Sequence, residues 1–108
     1  MASRKLSLAA IRRAVSALPG LEEGTSYGTA AWRCKKRLLM RLHQDGVSIV
    51  LWIGEETRDH LLQADPKTFF VTDHYRGTPA VQARLDRLSA ADLRKLGRRA
   101  IENTSPRS

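Results

Sequence analysis

The sequence has almost none of the residues from which cross-links and metal centres are built. Its single cysteine, Cys34, excludes an internal disulfide, and such sparse cysteine usage fits a reducing compartment. Three histidines, His43, His60 and His74, show no metal-ligand spacing among themselves or with acidic residues. We therefore expect no disulfide framework, no metal site and no bound cofactor.

Long hydrophobic runs are missing too. The longest apolar stretch, Ile49 to Ile53, is far shorter than the roughly 20 residues that a membrane-spanning helix needs. The first residues of the chain lack the apolar run of a signal peptide. We expect a soluble, cytoplasmic protein without a membrane role, and a monomer is the default expectation.

Catalytic motifs are absent as well. The spacing of acidic residues suggests no acid/base pair, no Ser-His-Asp or Cys-His set is identifiable, and no glycine pattern of a phosphate-binding loop occurs. Cys34 has no neighbouring histidine or second cysteine that would activate it as a nucleophile. The sequence therefore favours a binding protein over an enzyme.

Acidic residues are outnumbered by basic ones. The chain carries 19 Lys and Arg against 11 Asp and Glu, which gives a formal net charge of +8. Such a surplus favours polyanionic partners such as nucleic acid. The same composition also suits a solvated surface that serves solubility alone, so the placement of the charges decides between the two interpretations.

The chain has the size of one domain, with 108 residues of which 42% are hydrophobic. Apolar spacing and turn residues predict helices over 8–18, 55–64 and 89–101, with strands over 30–34, 38–43, 47–53, 68–72 and 81–86. The acidic stretch 22–24 is predicted as a turn. This order indicates an α+β fold, an antiparallel β-sheet of about five strands with helices packed on one face. We expect a single domain over 1–103 and a disordered tail over 104–108.

Three short stretches together resemble the MmcQ/YjbR family. They are Leu18 to Thr29 (LPGLEEGTSYGT), Ala64 to Thr72 (ADPKTFFVT) and His74 to Pro79 (HYRGTP). Each stretch is short and rich in turn-forming residues, so their order and separation carry the resemblance. It covers roughly residues 8–101.

The resemblance implies a CyaY-like (frataxin-like) α+β fold and, as for some members, a DNA-binding role through two β-hairpin wings. The sequence departs from the family pattern at two positions. Ala30 stands where a proline is expected, and Ala80 stands where an aromatic residue is typical. The second departure removes a side chain that would stack on a base or line a pocket.

The strongest candidate for phosphate contact is a basic cluster at one predicted hairpin turn. Five basic residues and no acid occur within nine positions, which places several cations together as phosphate contact requires. The alternative is a hairpin tip that is simply solvated, with lysines that discourage edge-to-edge aggregation. No base-reading constellation is evident, so DNA binding through these residues is expected to be weakly sequence-specific. The predicted nucleic-acid contacts are Arg33, Lys35, Lys36, Arg37, Arg41, Arg76, Arg84 and Arg87.

The polar loop over 73–79 suggests a second hypothesis, a site for a small anionic ligand or for another protein. Arg76 is expected to grip a phosphate or carboxylate through its planar fork. The pocket is predicted to be built by Tyr27, His74, Tyr75 and Arg76. The alternative is that His74 and Tyr75 only fasten the loop to the rest of the protein.

Overall fold

The structure, a computed structural model, describes residues 5–104. Its helices are α1 (Leu8–Ser16), α2 (Glu55–Ala64) and α3 (Ala90–Thr104). Its strands are β1 (Leu21–Ser26), β2 (Thr29–Cys34), β3 (Arg37–Leu42), β4 (Ser48–Trp52), β5 (Phe69–Phe70) and β6 (Ala80–Arg84). A short 3-10 turn, Leu85–Arg87, links β6 to α3.

Helices α1 and α3 begin at side-chain caps that the sequence provides. Ser7 caps α1, because its Oγ accepts a hydrogen bond from the Ala10 N–H at 3.1 Å. Helix α3 begins with a capping box: Ser89 Oγ accepts from the Asp92 N–H and Asp92 Oδ2 accepts from the Ser89 N–H, both at 3.0 Å. Both helix starts are therefore set locally, before any packing.

The strands form one sheet in the order β1-β2-β3-β4-β6-β5, with every neighbouring pair antiparallel. This confirms the predicted α+β class and antiparallel sheet. Buried side chains of α1 and α3, such as Ile11 and Leu93, pack on one face of the sheet, and Leu61 and Leu62 of α2 join the same core. The helix layer thus lies on one face, as predicted.

The sixth strand is β1, where the sequence predicted an acidic turn. That prediction is wrong: β1 pairs with β2 along its whole length, from Leu21 opposite Cys34 to Ser26 opposite Thr29. Two physical reasons account for it. The strand lies at the edge of the sheet with its middle exposed, so acids and a glycine are tolerated there, and a two-residue turn at Tyr27 and Gly28 fixes the pairing.

Other boundaries also differ from the prediction: α1 ends two residues earlier, at Ser16, and β2, β3 and β4 are shifted or shortened by one residue at their ends. The segment predicted as a strand over 68–72 pairs only at Phe69–Phe70. The strand predicted over 81–86 is Ala80–Arg84, and the chain then turns into the 3-10 turn. Helix α3 continues through Thr104, one residue into the predicted tail, whose other residues, 105–108, lie outside the described part of the chain.

The face of the sheet away from the helices is covered by the segment 71–79. Tyr75, only 5% exposed, packs there against Val50 and Ala80. Because the segment 71–79 has no regular secondary structure, no periodic pattern in the sequence indicated that it would cover this face. Within residues 5–104, no helix combines the length and apolar character needed to cross a bilayer.

Candidate functional site

The β2–β3 hairpin ends in a group of exposed basic side chains, which we call the cationic turn: Lys35, Lys36 and Arg37. Lys35 and Lys36 are the two turn residues, and Arg37 already belongs to β3, opposite Cys34. All three are exposed, and none lies within 4.0 Å of a carboxylate among the residues the structure describes. Their positive charges are therefore directed at solvent.

The backbone of the cationic turn is unfavourable for the residues that occupy it. Lys35 has φ 52° and Lys36 has φ 70°, so both are in the left-handed region. Two-residue turns of this kind prefer Asn-Gly, because a Cβ in the left-handed region costs roughly 1–2 kcal/mol per residue. Two lysines at these positions are thus not explained by the requirements of the turn.

Arg33 lies beside this hairpin but its side chain is engaged. Its Nη1 and Nη2 both donate to the Thr25 carbonyl oxygen at 3.3 Å, so the guanidinium lies along β1. Its cross-strand partner is Glu22, whose negative charge offsets that of Arg33. Arg33 therefore adds less positive potential than its position in the sequence implies.

Two of the predicted contacts lie at the other end of the sheet. Strand β3 begins beside the cationic turn and ends at Leu42, which pairs with Ile49, while the adjacent Ser48 pairs with Arg84. Arg84 stacks on Phe70, with its Cζ 4.5 Å from the ring centroid, and the Arg87 Nε donates to Thr68 Oγ1 at 3.2 Å. The structure therefore does not unite the predicted cations on one surface.

Arg76 also lies apart from the site predicted for it. Its side chain is 73% exposed and forms an ion pair with Asp73 at 3.0 Å. It borders a surface depression with Arg58 and Asp59 of α2. Of the predicted pocket residues, the structure brings Tyr27, His74 and Tyr75 together and leaves Arg76 outside.

The residue that takes the central position is Arg41, which was predicted to be a nucleic-acid contact. The expectation that its charge adds to the hairpin cluster is wrong, since only 3% of the residue is exposed. Arg41 lies in β3 between Ala31 and Val50, on the face that the segment 71–79 covers. Its Nη1 donates to the Tyr75 hydroxyl at 2.6 Å, and its Nη2 donates to Thr29 Oγ1 at 3.3 Å.

A cavity of about 290 Å³ adjoins the Arg41 side chain, and we call it the Arg41 pocket. Every residue of its wall carries a hydrogen-bonding group and none carries a carboxylate. Tyr27 contributes an exposed ring whose centroid is 5.2 Å from Arg41 Cζ. The lining residues are Tyr27, Arg41, His43, Gln44, His74 and Tyr75.

The loop that closes the pocket is fixed at its base by a buried amide. Gln82, fully buried in β6, accepts hydrogen bonds through its Oε1 from the Thr72 hydroxyl at 2.7 Å and the Thr72 N–H at 3.1 Å. The loop then folds on itself, with the Tyr75 N–H donating to the Thr72 carbonyl at 3.0 Å. This anchoring holds the Tyr75 hydroxyl within hydrogen-bonding distance of Arg41.

The two histidines of the pocket are positioned by different neighbours. The His74 ring stands edge-on to Tyr75, with 4.7 Å between ring centroids. His43 Nδ1 lies 3.2 Å from Asp45 Oδ2. Burial acts to raise the pKa of the Asp45 carboxyl, but hydrogen bonds from Val47 and Ser48 outweigh it and lower that pKa, so Asp45 stays ionised behind His43.

Arg41, His43 and Gln44 were not predicted from the sequence to be pocket residues. One signal was present: Leu38, Met40 and Leu42 share a strand face, which places Arg41 on the other face. What no pattern could show is that a loop from residue 71 onward covers that face. Within residues 5–104 no cluster of three or more His, Cys, Asp or Glu side chains is arranged to hold a metal ion.

Comparison with known proteins shows similarity in fold. No protein-family model matches the sequence, and no curated protein matches it. The structure is similar to the crystal structure of Deinococcus radiodurans protein DR2400, which contains a domain of the family DUF419. The two share a TM-score of 0.70 and 20% sequence identity, with 94% of this chain and 80% of the other covered.

Proposed function

We propose that this protein binds nucleic acid through its phosphates, with weak sequence specificity, and that the cationic turn is the contact element. The observation that supports the proposal most is the pair of lysines, Lys35 and Lys36, at left-handed positions where Asn-Gly would cost less. Residues kept at a conformational cost are often functional, and here both carry an unpaired charge. We also propose membership of the MmcQ/YjbR family, which the similarity to a DUF419 structure supports, and a monomer acting in the cytoplasm.

The placement of the charges narrows the contact set. Lys35, Lys36 and Arg37 project from one turn, while Arg41 is buried and Arg84 and Arg87 lie at the other end of the sheet. A surface of this size contacts about three phosphates, which gives a slope of about −2.7 for log affinity against log salt concentration. Binding should then weaken about 40-fold between 50 and 200 mM salt.

Fluorescence anisotropy with a random-sequence duplex tests the proposal. At 50 mM salt, Lys35→Glu with Lys36→Glu should weaken binding at least about tenfold, since two phosphate contacts are replaced by repulsion. The matched control is Lys67→Glu with Lys95→Glu, which changes the net charge equally at two exposed lysines away from the turn. Equal weakening by both variants would show that net charge alone drives binding, and no binding by the wild type would refute the proposal.

A further inference from the structure

Arg41 is a buried cation for which the structure provides no counter-charge. The residue is 3% exposed, and within residues 5–104 no carboxylate lies within 4.0 Å of its guanidinium. An arginine side chain does not deprotonate in proteins, so the charge is permanent. Buried charges are usually paired, because removing an unpaired ion from water is costly.

The hydrogen-bonding capacity of Arg41 is also incompletely used. A guanidinium has five N–H donors in a planar fork. In the structure Nη1 and Nη2 each donate to one hydroxyl, and the buried Nε has no partner. One oxyanion would supply both acceptors for the free N–H donors and the missing negative charge, since arginine binds carboxylate and phosphate through paired N–H groups.

The space beside Arg41 suits such a ligand. The Arg41 pocket has a volume of about 290 Å³, near the lower limit of small-molecule sites. Its walls offer imidazole, amide and phenol groups from His43, Gln44, His74 and Tyr75, all able to donate a hydrogen bond to an anion. Among residues 5–104, Asp45 carries the one carboxylate that forms an ion pair with a side chain of this wall, and it is engaged by His43, Val47 and Ser48.

The outer wall of the pocket is held at a conformational cost. Tyr27 has φ 51°, which is unusual for a bulky residue, and its ring is 77% exposed. Glycine would occupy this turn position without strain. The ring nevertheless stays 5.2 Å from Arg41 Cζ and lines the pocket, where it can contact a molecule bound beside it.

We propose that the Arg41 pocket binds a small molecule through a carboxylate or phosphate group, which forms a charge-assisted pair with Arg41 beside the Tyr27 ring. The pocket lies at the Tyr27–Gly28 end of β2, whereas the cationic turn lies at the Cys34 end. The two sites are separate, so either is able to exist without the other.

A thermal-shift measurement on the full chain tests this site. The probes are inorganic phosphate, acetate and benzoate, each compared with sodium chloride at equal ionic strength. At about ten times the dissociation constant, a bound probe should raise the Tm by about 4 °C or more. Phosphate and the two carboxylates distinguish the two oxyanion classes, and the comparison of benzoate with acetate reports whether an aromatic body adds affinity beside Tyr27.

Two variants and one control show whether the thermal shift comes from binding in the Arg41 pocket. Arg41→Met should abolish the shift, and Tyr27→Gly, which suits the turn and leaves the core intact, should reduce it. Arg76→Met should leave the shift unchanged. Arg76 lies in the loop that carries His74 and Tyr75, but its side chain is exposed and paired with Asp73. A shift that survives Arg41→Met, a shift lost only in Arg76→Met, or no shift beyond the salt control with any probe would overturn the proposal.

Discussion

Replacing Arg41 by methionine should stabilise the ligand-free protein, which is the opposite of what truncating a buried residue usually does. Methionine has a similar length and fills the same space between Ala31 and Val50 without a charge. Replacement of a buried ionic group by a hydrophobic residue of similar volume is often neutral or stabilising. The reason here is that no carboxylate within residues 5–104 compensates the Arg41 charge.

The magnitude follows from the contacts that are lost. Removing the buried charge recovers several kcal/mol of desolvation free energy. Three lost contacts stand against this: the Tyr75 hydroxyl loses its 2.6 Å partner at a cost of about 1–3 kcal/mol, the 3.3 Å bond to Thr29 Oγ1 is worth about 1 kcal/mol, and the Tyr27 contact is worth about 1–2 kcal/mol. We expect a net gain of about 1 kcal/mol, which corresponds to a rise in Tm of about 4–8 °C for a domain of this size.

Urea unfolding of single and double variants measures the effect. Tyr75→Phe alone removes a partner from the buried charge and should cost about 2 kcal/mol. Combined with Arg41→Met it should be neutral or stabilising, because the hydroxyl no longer has a cation to bind. If Arg41→Met instead lowers the free energy of unfolding by more than about 2 kcal/mol, Arg41 is a structural residue and the reasoning is refuted.

Three further perturbations test other parts of the structure. Lys35→Asn with Lys36→Gly should raise the free energy of unfolding by about 1 kcal/mol while weakening DNA binding, and a loss of stability in urea would contradict the inferred strain. Gly54→Ala should cost about 2–3 kcal/mol in urea, because φ is 95° and a Cβ would lie 2.8 Å from Asn103 Oδ1; a cost below about 0.5 kcal/mol would argue against this packing. Asp45→Asn should lower the free energy of unfolding at neutral pH. The difference from wild type should shrink as the pH falls from about 4 through the lowered pKa of Asp45. A difference that does not change with pH would show that the ionisation of Asp45 does not contribute to stability.

The helices and inner strands could be predicted because they carry local signals. The spacing of Ser89 and Asp92 is typical of a helix start and matches the start of α3. The alternation in 47–53 is typical of a strand and matches β4. Strand β1 was not predicted, because glutamate and glycine are poor strand formers. Its pairing depends on β2 and on the turn at Tyr27. Local preference was overridden there by long-range pairing.

The candidate site was predicted less well, and Arg41 and Arg76 show why. Arg41 was predicted to act with the cationic turn because the two are close in sequence. In the structure Arg41 lies on the sheet face opposite the helices, where the loop over 71–79 buries it. Arg76 adjoins Tyr75 in sequence, but the loop turns it out to Asp73 while Tyr75 is buried. Which way a loop residue points depends on tertiary contacts that have no period in the sequence.

Contact between the cationic turn and nucleic acid is tested most directly by mapping the protein surface that DNA touches. Backbone amide NMR spectra of the full chain are recorded while a random-sequence duplex is added at low salt. We expect the largest shift changes at Lys35, Lys36 and Arg37, and we expect these changes to fade as salt is raised. Changes centred instead on Arg84 and Arg87, or spread evenly over all exposed cations, would contradict the proposed contact.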